Sequence, residues 1–582
     1  MGVSVIDIGY PLVYYLNVAS VQPKVINGKT YYYLVESARV DGKPRVVSQR
    51  YLGSAADITA ALDGVTVTPA RTRHLGFGDL AAVWATLGRL GYGGIVDDVV
   101  GARRSGAAAS VGTYLALACA NRVVSPRSKL AFADWWAGTA ADRWVKLPAA
   151  ALDHRRFWDA MHAVDTAALV EVERRLALAM ATEFELGLSS MALDMTNFAT
   201  FIDSANEQAP IAQRGHAKQK RTDLRLVGLG LVVSRDGGVP FVGHAYPGNR
   251  PDVAVFTTVV DELVRRYRAM AAADSELTVV FDAGQNSAAN FAHLAEVGLH
   301  FVGSLPPSDY PDLLAIPARR RSIVDPKRFG GLTAYETTVD ALGATRRVLL
   351  THSPNLHAKQ ARGFDQTLAK ATRSLTELAR VLDGGKGRRD RSALDAQITR
   401  ITRPRWLARV LTSTVTGTEP GNMALSWKVD TAARRALETE LFGKRLLVTD
   451  RQTWPAGDVI AGYRSQSDAE NGFRQLKDPK LVSFSPMWHW TDAHIRVHVS
   501  YCVTALAVAH LMRRETTRAG LPMSVRELLG QLAGIQETVL LYPSTGGRPR
   551  ARRILTEMTP TQQQLFDLFG LDRYTPTRPP VR

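Results

Sequence analysis

Apolar residues change their spacing several times along the chain, and each change predicts a different element. From Thr30 to Gly53, aromatic and β-branched residues alternate with polar ones on either side of an Asp-Gly pair, the pattern of a β-hairpin. Residues 78–185 instead repeat Ala, Leu and Trp every three or four positions. This predicts a helical region with breaks at Gly91–Gly94 and Pro126. Near residue 187 the pattern becomes strand-like. SSMALDMTNFATFI, LRLVGLGLVV and VPFVGHAY read as three strands, followed by VFTTVVDELVRRYRAM as an amphipathic helix. LTVVFDAG then reads as a strand, SAANFAHLAEVG as a helix and HFVGSLP as a short strand. The order predicts a mixed sheet whose first three strands run as an antiparallel meander.

Between residues 306 and 442 the regularity lapses, and this stretch reads as an insertion. It holds a charged helical segment from about Gln360 to Leu382, the basic run GGKGRRDRS, and strand-like pieces near Arg405–Val415 and Ala424–Val429. KRLLVTD returns to a buried-strand run. It leads into a predicted long helix from about Asp458 to Lys477, and a second helix covers roughly 492–515. The Pro- and Arg-rich end is expected to be loosely ordered. The expected division is therefore 1–75 hairpin region, 76–186 helical and a candidate DNA-binding domain, and 187–305 first part of an α/β core. It continues as 306–442 insertion, 443–540 second part of the core, and 541–582 basic tail.

Composition narrows the partners. A chain of 582 residues is too long for one core, so roughly two to four domains are expected. Its 72 basic and 55 acidic residues leave a net charge of +17, which points to a polyanion, nucleic acid above all. Cys119 and Cys502 are too few for a disulfide framework or a four-ligand zinc module, so a reducing compartment is expected. The first residues show no secretory leader pattern. The apolar run Val497–Met512 is shorter than a membrane span and reads as a buried helix. The expectation is a cytoplasmic protein with no membrane partner.

Two aspartates stand out because they lie in apolar strands: Asp194 in MALDM and Asp282 at the end of VVFD. The first and fourth predicted strands can be parallel neighbours about 4.8 Å apart. Two carboxylates that close repel unless a cation lies between them, which makes the pair a candidate Mg²⁺ site. On the helix that follows KRLLVTD, Tyr463, Glu470 and Lys477 recur every seven residues and share one stripe with Gln466 and Arg474. Packed on the sheet, that helix would bring Glu470 toward the aspartates, with Tyr463, Arg464, Arg474 and Lys477 available for phosphates.

Tyr463, Glu470 and Lys477 also match a known signature: Tyr, two residues, Arg, three residues, Glu, six residues, Lys. With LDMTNF around Asp194, VVFDAGQNS around Asp282, and GHAKQKRTDL and YPGNRPD between them, the chain resembles a DDE transposase of a bacterial insertion sequence, of the insertion-sequence-four (IS-four) superfamily. The hairpin YYLVESARVDGKPRVVSQRYLG and the segment TDAHIRVHV are similar to the same family, so the resemblance covers most of the chain. Gln466 departs from the signature, standing where it has Arg.

The resemblance implies an RNase-H-like mixed sheet with a largely β insertion between Asp282 and Glu470. It implies cleavage of transposon ends and strand transfer into target DNA, dependent on Mg²⁺ or Mn²⁺, with two ions held by Asp194, Asp282 and Glu470. Tyr463, Arg464, Arg474 and Lys477 would be DNA-positioning residues, and the partner would be double-stranded DNA bound by a dimer on paired ends. No G-x-x-x-x-G-K-[ST] is present, so no ATP dependence is expected. The alternatives are an RNase-H-like nuclease or resolvase that hydrolyses without joining, and a catalytically inactive DNA-binding regulator. His494 and His498 lack the glutamate of a metalloprotease motif. Trp406, Trp427, Trp488 and Trp490 are expected in packing rather than against a base.

Overall fold

The computed structural model describes residues 18–40, 43–62, 68–101, 107–215, 223–269, 276–384, 390–419, 421–542 and 550–576. They fall into two units: Met1–Ala85 with Asp134–Lys146 and Glu527–Arg582, and Thr86–Ala133 with Leu147–Arg526.

In the first unit the strands Val18–Ile26, Lys29–Val40 and Lys43–Gly53 form an antiparallel sheet. Asn27 and Gly28 turn the first pair with φ of 49° and 75°, the left-handed conformation that a two-residue hairpin requires and that Asn-Gly adopts cheaply. The expected hairpin is therefore present with one more strand before it, while its Asp-Gly turn lies outside the described residues. A second sheet pairs Gln536–Tyr542 with Arg71–Gly76 on one side and Arg550–Leu555 on the other. The expectation of a loosely ordered tail fails for its described part, while residues 543–549 and 577–582 lie outside the described residues. Residues 550–555 are held by ladder hydrogen bonds, and Pro560–Leu568 is a helix closed by a reciprocal Thr559–Gln562 capping box.

The second unit carries a nine-stranded sheet. Its elements run β1 (Ser190–Ala199), β2 (Leu226–Ser234), β3 (Pro240–Pro247), α1 (Asp252–Arg268), β4 (Thr278–Val280), α2 (Ala288–Glu296) and β5 (His300–Leu305). β1–β2–β3 is the antiparallel meander, and β4 and β5 add beside β1 in parallel, giving the order β5-β4-β1-β2-β3. This is the strand order of an RNase-H-like core in a mixed α/β fold.

Beyond β5 the expected boundaries shift. The strands β6 (Ser322–Ile323), β7 (Thr333–Ala341) and β8 (Ala344–His352) fall inside the expected insertion 306–442, yet they join the same sheet. The segment with its own core is α3 (Pro354–Asp383), α4 (Arg391–Thr402), the hairpin β9 (Leu411–Thr416) and β10 (Ala424–Val429), and α5 (Thr431–Leu441). It is largely helical rather than largely β. Phe364, Ala371, Leu375, Leu378 and Leu382 form one helical stripe on α3 and pack against Leu394, Ile398, Leu407 and Phe442. Trp406 and Trp427 pack on this cluster, as expected, whereas Trp488 and Trp490 are exposed rather than packed. Arg388 and Arg389 lie outside the described residues.

The chain re-enters the sheet as β11 (Lys444–Thr449) between β8 and β5, which completes the order β6-β7-β8-β11-β5-β4-β1-β2-β3. The helix expected over 458–477 is two helices, α6 (Ala456–Arg464) and α7 (Gln466–Leu476). They part at Ser465, whose hydroxyl donates back to the Gly462 carbonyl at 2.6 Å. Finally α8 (Asp492–Arg518) is, among the described residues, the one helix long and apolar enough to cross a membrane. However, 89% of its apolar window is buried within the fold. It packs on β3 and on the helices Val111–Val124, His154–His162 and Thr166–Glu183. There His498 hydrogen-bonds the Phe484 carbonyl and Tyr501, a packed histidine rather than a metal ligand.

Candidate active site

β1 and β4 are in parallel register, ending at the pair Ala192–Val280. Two residues further along stand Asp194, within β1, and Asp282, just past the end of β4, so strand alternation assigns both carboxylates to the same face of the sheet. Both residues are partly buried. Asp194 Oδ1 accepts the Met195 N–H at 2.8 Å, and Asp282 Oδ1 accepts the Gly284 N–H at 2.8 Å, an Asx turn that fixes the aspartate where β4 stops. The negative charge of Asp194 is felt at Tyr246, whose phenol is raised by burial first, then by Asp252 and by Asp194.

The face on which Asp194 stands is the one α7 covers. Leu231, paired with Asp194 across β1–β2, lies under Gly472 of α7, where an added Cβ would come within 3.4 Å of Leu231 Cδ2 and 3.2 Å of Leu506 Cδ2. Glycine thus lets the helix approach the sheet closely, two residues past Glu470. At its end, Lys477 donates to Thr196 Oγ1 at 2.6 Å and stands 5.4 Å from the Phe198 ring. Thr196 and Phe198 share the Asp194 face of β1, so Lys477 is fixed along the row that begins with that aspartate.

Glu470 is exposed, and it and Asp282 line one cavity of about 420 Å³. Tyr463 and Arg464 from α6 line the same cavity, as do Gln466 and Ser467 from the start of α7. Thr351 of β8, Ser353 just after it, Arg445 and Leu447 of β11, and Ile460 complete most of its wall. Arg464 lies 4.6 Å from the Phe329 ring, and burial, followed by repulsion from Arg445, lowers its pKa.

Of the seven residues expected from the sequence, Asp282, Glu470, Tyr463 and Arg464 share the cavity, while Asp194 and, through Thr196, Lys477 lie along β1. Arg474 does not join them in the cavity wall; it is exposed on α7. Two further acids near Glu470 in sequence, Asp468 and Asp492, are placed elsewhere. Asp468, its carboxyl raised by burial, faces Gly238, and Asp492 accepts the Ile211 N–H at 2.9 Å. Thr351, Ser353 and Arg445 escaped the sequence reading. Arg445 alone had a signal, an exposed position alternating with buried ones in KRLLVTD.

Three carboxylates are the hard oxygen donors that Mg²⁺ takes. Among the described residues, however, no group of three or more His, Cys, Asp or Glu side chains is close enough together to hold an ion as they stand. The donors fit in kind and the aspartates in register, while the Glu470 carboxylate is not gathered onto them.

Neither a protein-family model nor a curated protein matches the chain. Among solved structures, the chain is similar to a cryo-EM structure of piggyBac transposase synaptic complex with hairpin DNA. The likeness has a TM-score of 0.35 and 8% identity, over 80% of this chain and 82% of that one.

Proposed function

We propose that the chain is a DNA transposase of the DDE type, cutting DNA phosphodiesters at the ends of a mobile element and joining them to target DNA. The observation that carries this reading is that Asp194 and Asp282 each follow by two residues the Ala192–Val280 pair of two adjacent parallel strands, with Glu470 lining the same cavity as Asp282. The net charge of +17 supports a polyanionic substrate.

In this reading Asp194, Asp282 and Glu470 hold divalent metal, Mg²⁺ or Mn²⁺. Bound there, the metal would activate water or a DNA 3′-hydroxyl and stabilise the leaving oxygen. Tyr463 and Arg464 would orient the scissile phosphate from the cavity wall. Lys477, fixed through Thr196, would hold positive charge beside the aspartates. Each joined bond replaces a broken one, so the chain needs no nucleotide cofactor. A dimer on paired ends and the kinship to insertion-sequence-four transposases belong to this proposal, supported by the residues quoted above.

The test uses labelled duplex from the sequences flanking the gene, with a target plasmid. Metal-dependent nicking followed by strand transfer is expected, with Asp194→Ala, Asp282→Ala and Glu470→Ala each abolishing both while still binding DNA. Nicking without joining would identify a nuclease or resolvase on this fold, and binding without nicking a regulator.

A further inference from the structure

We propose that Arg445 is a phosphate-contact residue of this cleft, forming with Arg464 a two-guanidinium receptor for one nucleic-acid phosphodiester opposite Asp282 and Glu470. The proposal deepens the reading above and rests on it for the identity of the ligand.

Arg445 is placed by the sheet rather than by a loop. Its strand, β11, is hydrogen-bonded to β8 on one side and β5 on the other, so the backbone beneath the side chain is rigid. Arg445 and Leu447 point to the same face by strand alternation, and both line the cavity. The register partner of Arg445, Thr351, also lines it and donates its hydroxyl to the Arg445 carbonyl at 3.3 Å. The Arg445 guanidinium stands 5.5 Å from the centre of the Tyr463 ring, a cation–π contact that limits where it can swing.

Among the described residues neither Arg445 nor Arg464 forms an ion pair, although Asp282 and Glu470 line the same cavity. The two guanidiniums are close enough that Arg445 weakens the hold of Arg464 on its proton. Two guanidiniums on one wall repel, and an anion shared between them relieves that repulsion. Each guanidinium presents parallel N–H donors that match the oxygens of a phosphate. Gln466, in the same wall, has no charge to contribute.

The experiment measures binding of a labelled DNA duplex by the full chain across a salt series, for wild type, Arg445→Ala and Arg445→Lys. Melting temperatures establish that the variants fold. Loss of one phosphate contact should lower the slope of log K against log salt by about 0.9 and weaken binding on the order of tenfold at low salt. Arg445→Lys should keep the slope while losing part of the affinity. Wild-type binding with an Arg445→Ala slope and affinity unchanged overturns the assignment alone. An Arg445-dependent slope in a chain that never cleaves supports the assignment and overturns the transposase reading. A wild type that does not bind DNA overturns both.

Discussion

Asp194 and Asp282 each follow the Ala192–Val280 pair by two residues, Asp194 within β1 and Asp282 just past the end of its parallel neighbour β4. Neighbouring strands lie about 4.8 Å apart, so without a cation the two carboxylates are expected to repel, and removing one charge should relieve that repulsion in the metal-free chain. Asp282→Asn keeps an oxygen for the Gly284 N–H. It is expected to melt at the wild-type temperature or a few degrees above it. Its cleavage should fall by more than about a hundredfold, because loss of a direct ligand exceeds the 10- to 100-fold typical of an outer-shell loss. Adding MgCl₂ should raise the melting temperature of wild type and not that of Asp282→Asn. Equal metal-induced shifts in the two proteins would remove Asp282 from the metal site.

Close approach of α7 to the sheet makes Gly472 a second place to test the site. Leu231 and Leu506 stand 3.4 and 3.2 Å from where its Cβ would be, so Val at this position must push the helix outward. Gly472→Val should destabilise by about 1–3 kcal/mol, as overpacking does, and cut cleavage because Glu470 moves with the helix. Gly472→Ala gains up to about 1 kcal/mol of helix propensity, offset by the tight contact, and should be near neutral in urea unfolding. A fully active Gly472→Val would show that the distance of α7 from β1 is unimportant.

How far the sequence led depends on where periodicity and burial agree. β1, β2 and β3 were legible because each is an apolar run buried on both faces, and Asp194 was conspicuous for that reason. β7 was not legible: TAYETTVDA alternates polar with polar, and its burial comes from pairing with β8 rather than from its own side chains. That is why the insertion was expected to start too early. The Ser465 break was hidden because no proline interrupts residues 456–476 and none of Gly457, Gly462 and Gly472 lies at the break, where the Ser465 hydroxyl donates to the Gly462 carbonyl. By contrast, Thr559-Pro560-Thr561-Gln562 is a readable helix start, and the basic composition around it masked the signal.

The insertion supplies a prediction about DNA affinity. Residues 354–441 hold 16 Lys and Arg against nine Asp and Glu. A groove of about 600 Å³ between α3 and α4 is lined by Lys370, Arg373 and Arg400. Its one acid, Glu377, is paired to Arg380 at 2.8 Å, which leaves the groove positive. If it tracks a DNA backbone, Lys370→Glu combined with Arg400→Glu should lower the salt slope of binding by about 2 and weaken binding without base preference. A slope equal to wild type would return these residues to the role of solvated charge.

A partly buried cation in the helical layer is expected to make stability depend on pH. The Lys129 ammonium donates to Tyr501 Oη at 2.8 Å and to His489 Nε2 at 3.1 Å. Burial first, then the neighbouring Arg122, lowers its pKa from 10.5 to about 7. Burial also keeps His489, His494 and His498 neutral and Tyr501 protonated. Lys129 is therefore the member of this cluster that titrates in the alkaline range. Below about pH 7 it is charged in both folded and unfolded chains, and the folded state carries the full penalty. Between about 7 and 10.5 the unfolded chain binds the extra proton, so stability rises with pH across that window and levels off above it. Lys129→Met removes this term. The melting temperature of wild type minus that of Lys129→Met should become more positive by a few degrees from pH 7 to pH 10. A difference that stays constant over that range would mean that the ammonium is solvated and that its position between His489 and Tyr501 has no electrostatic consequence.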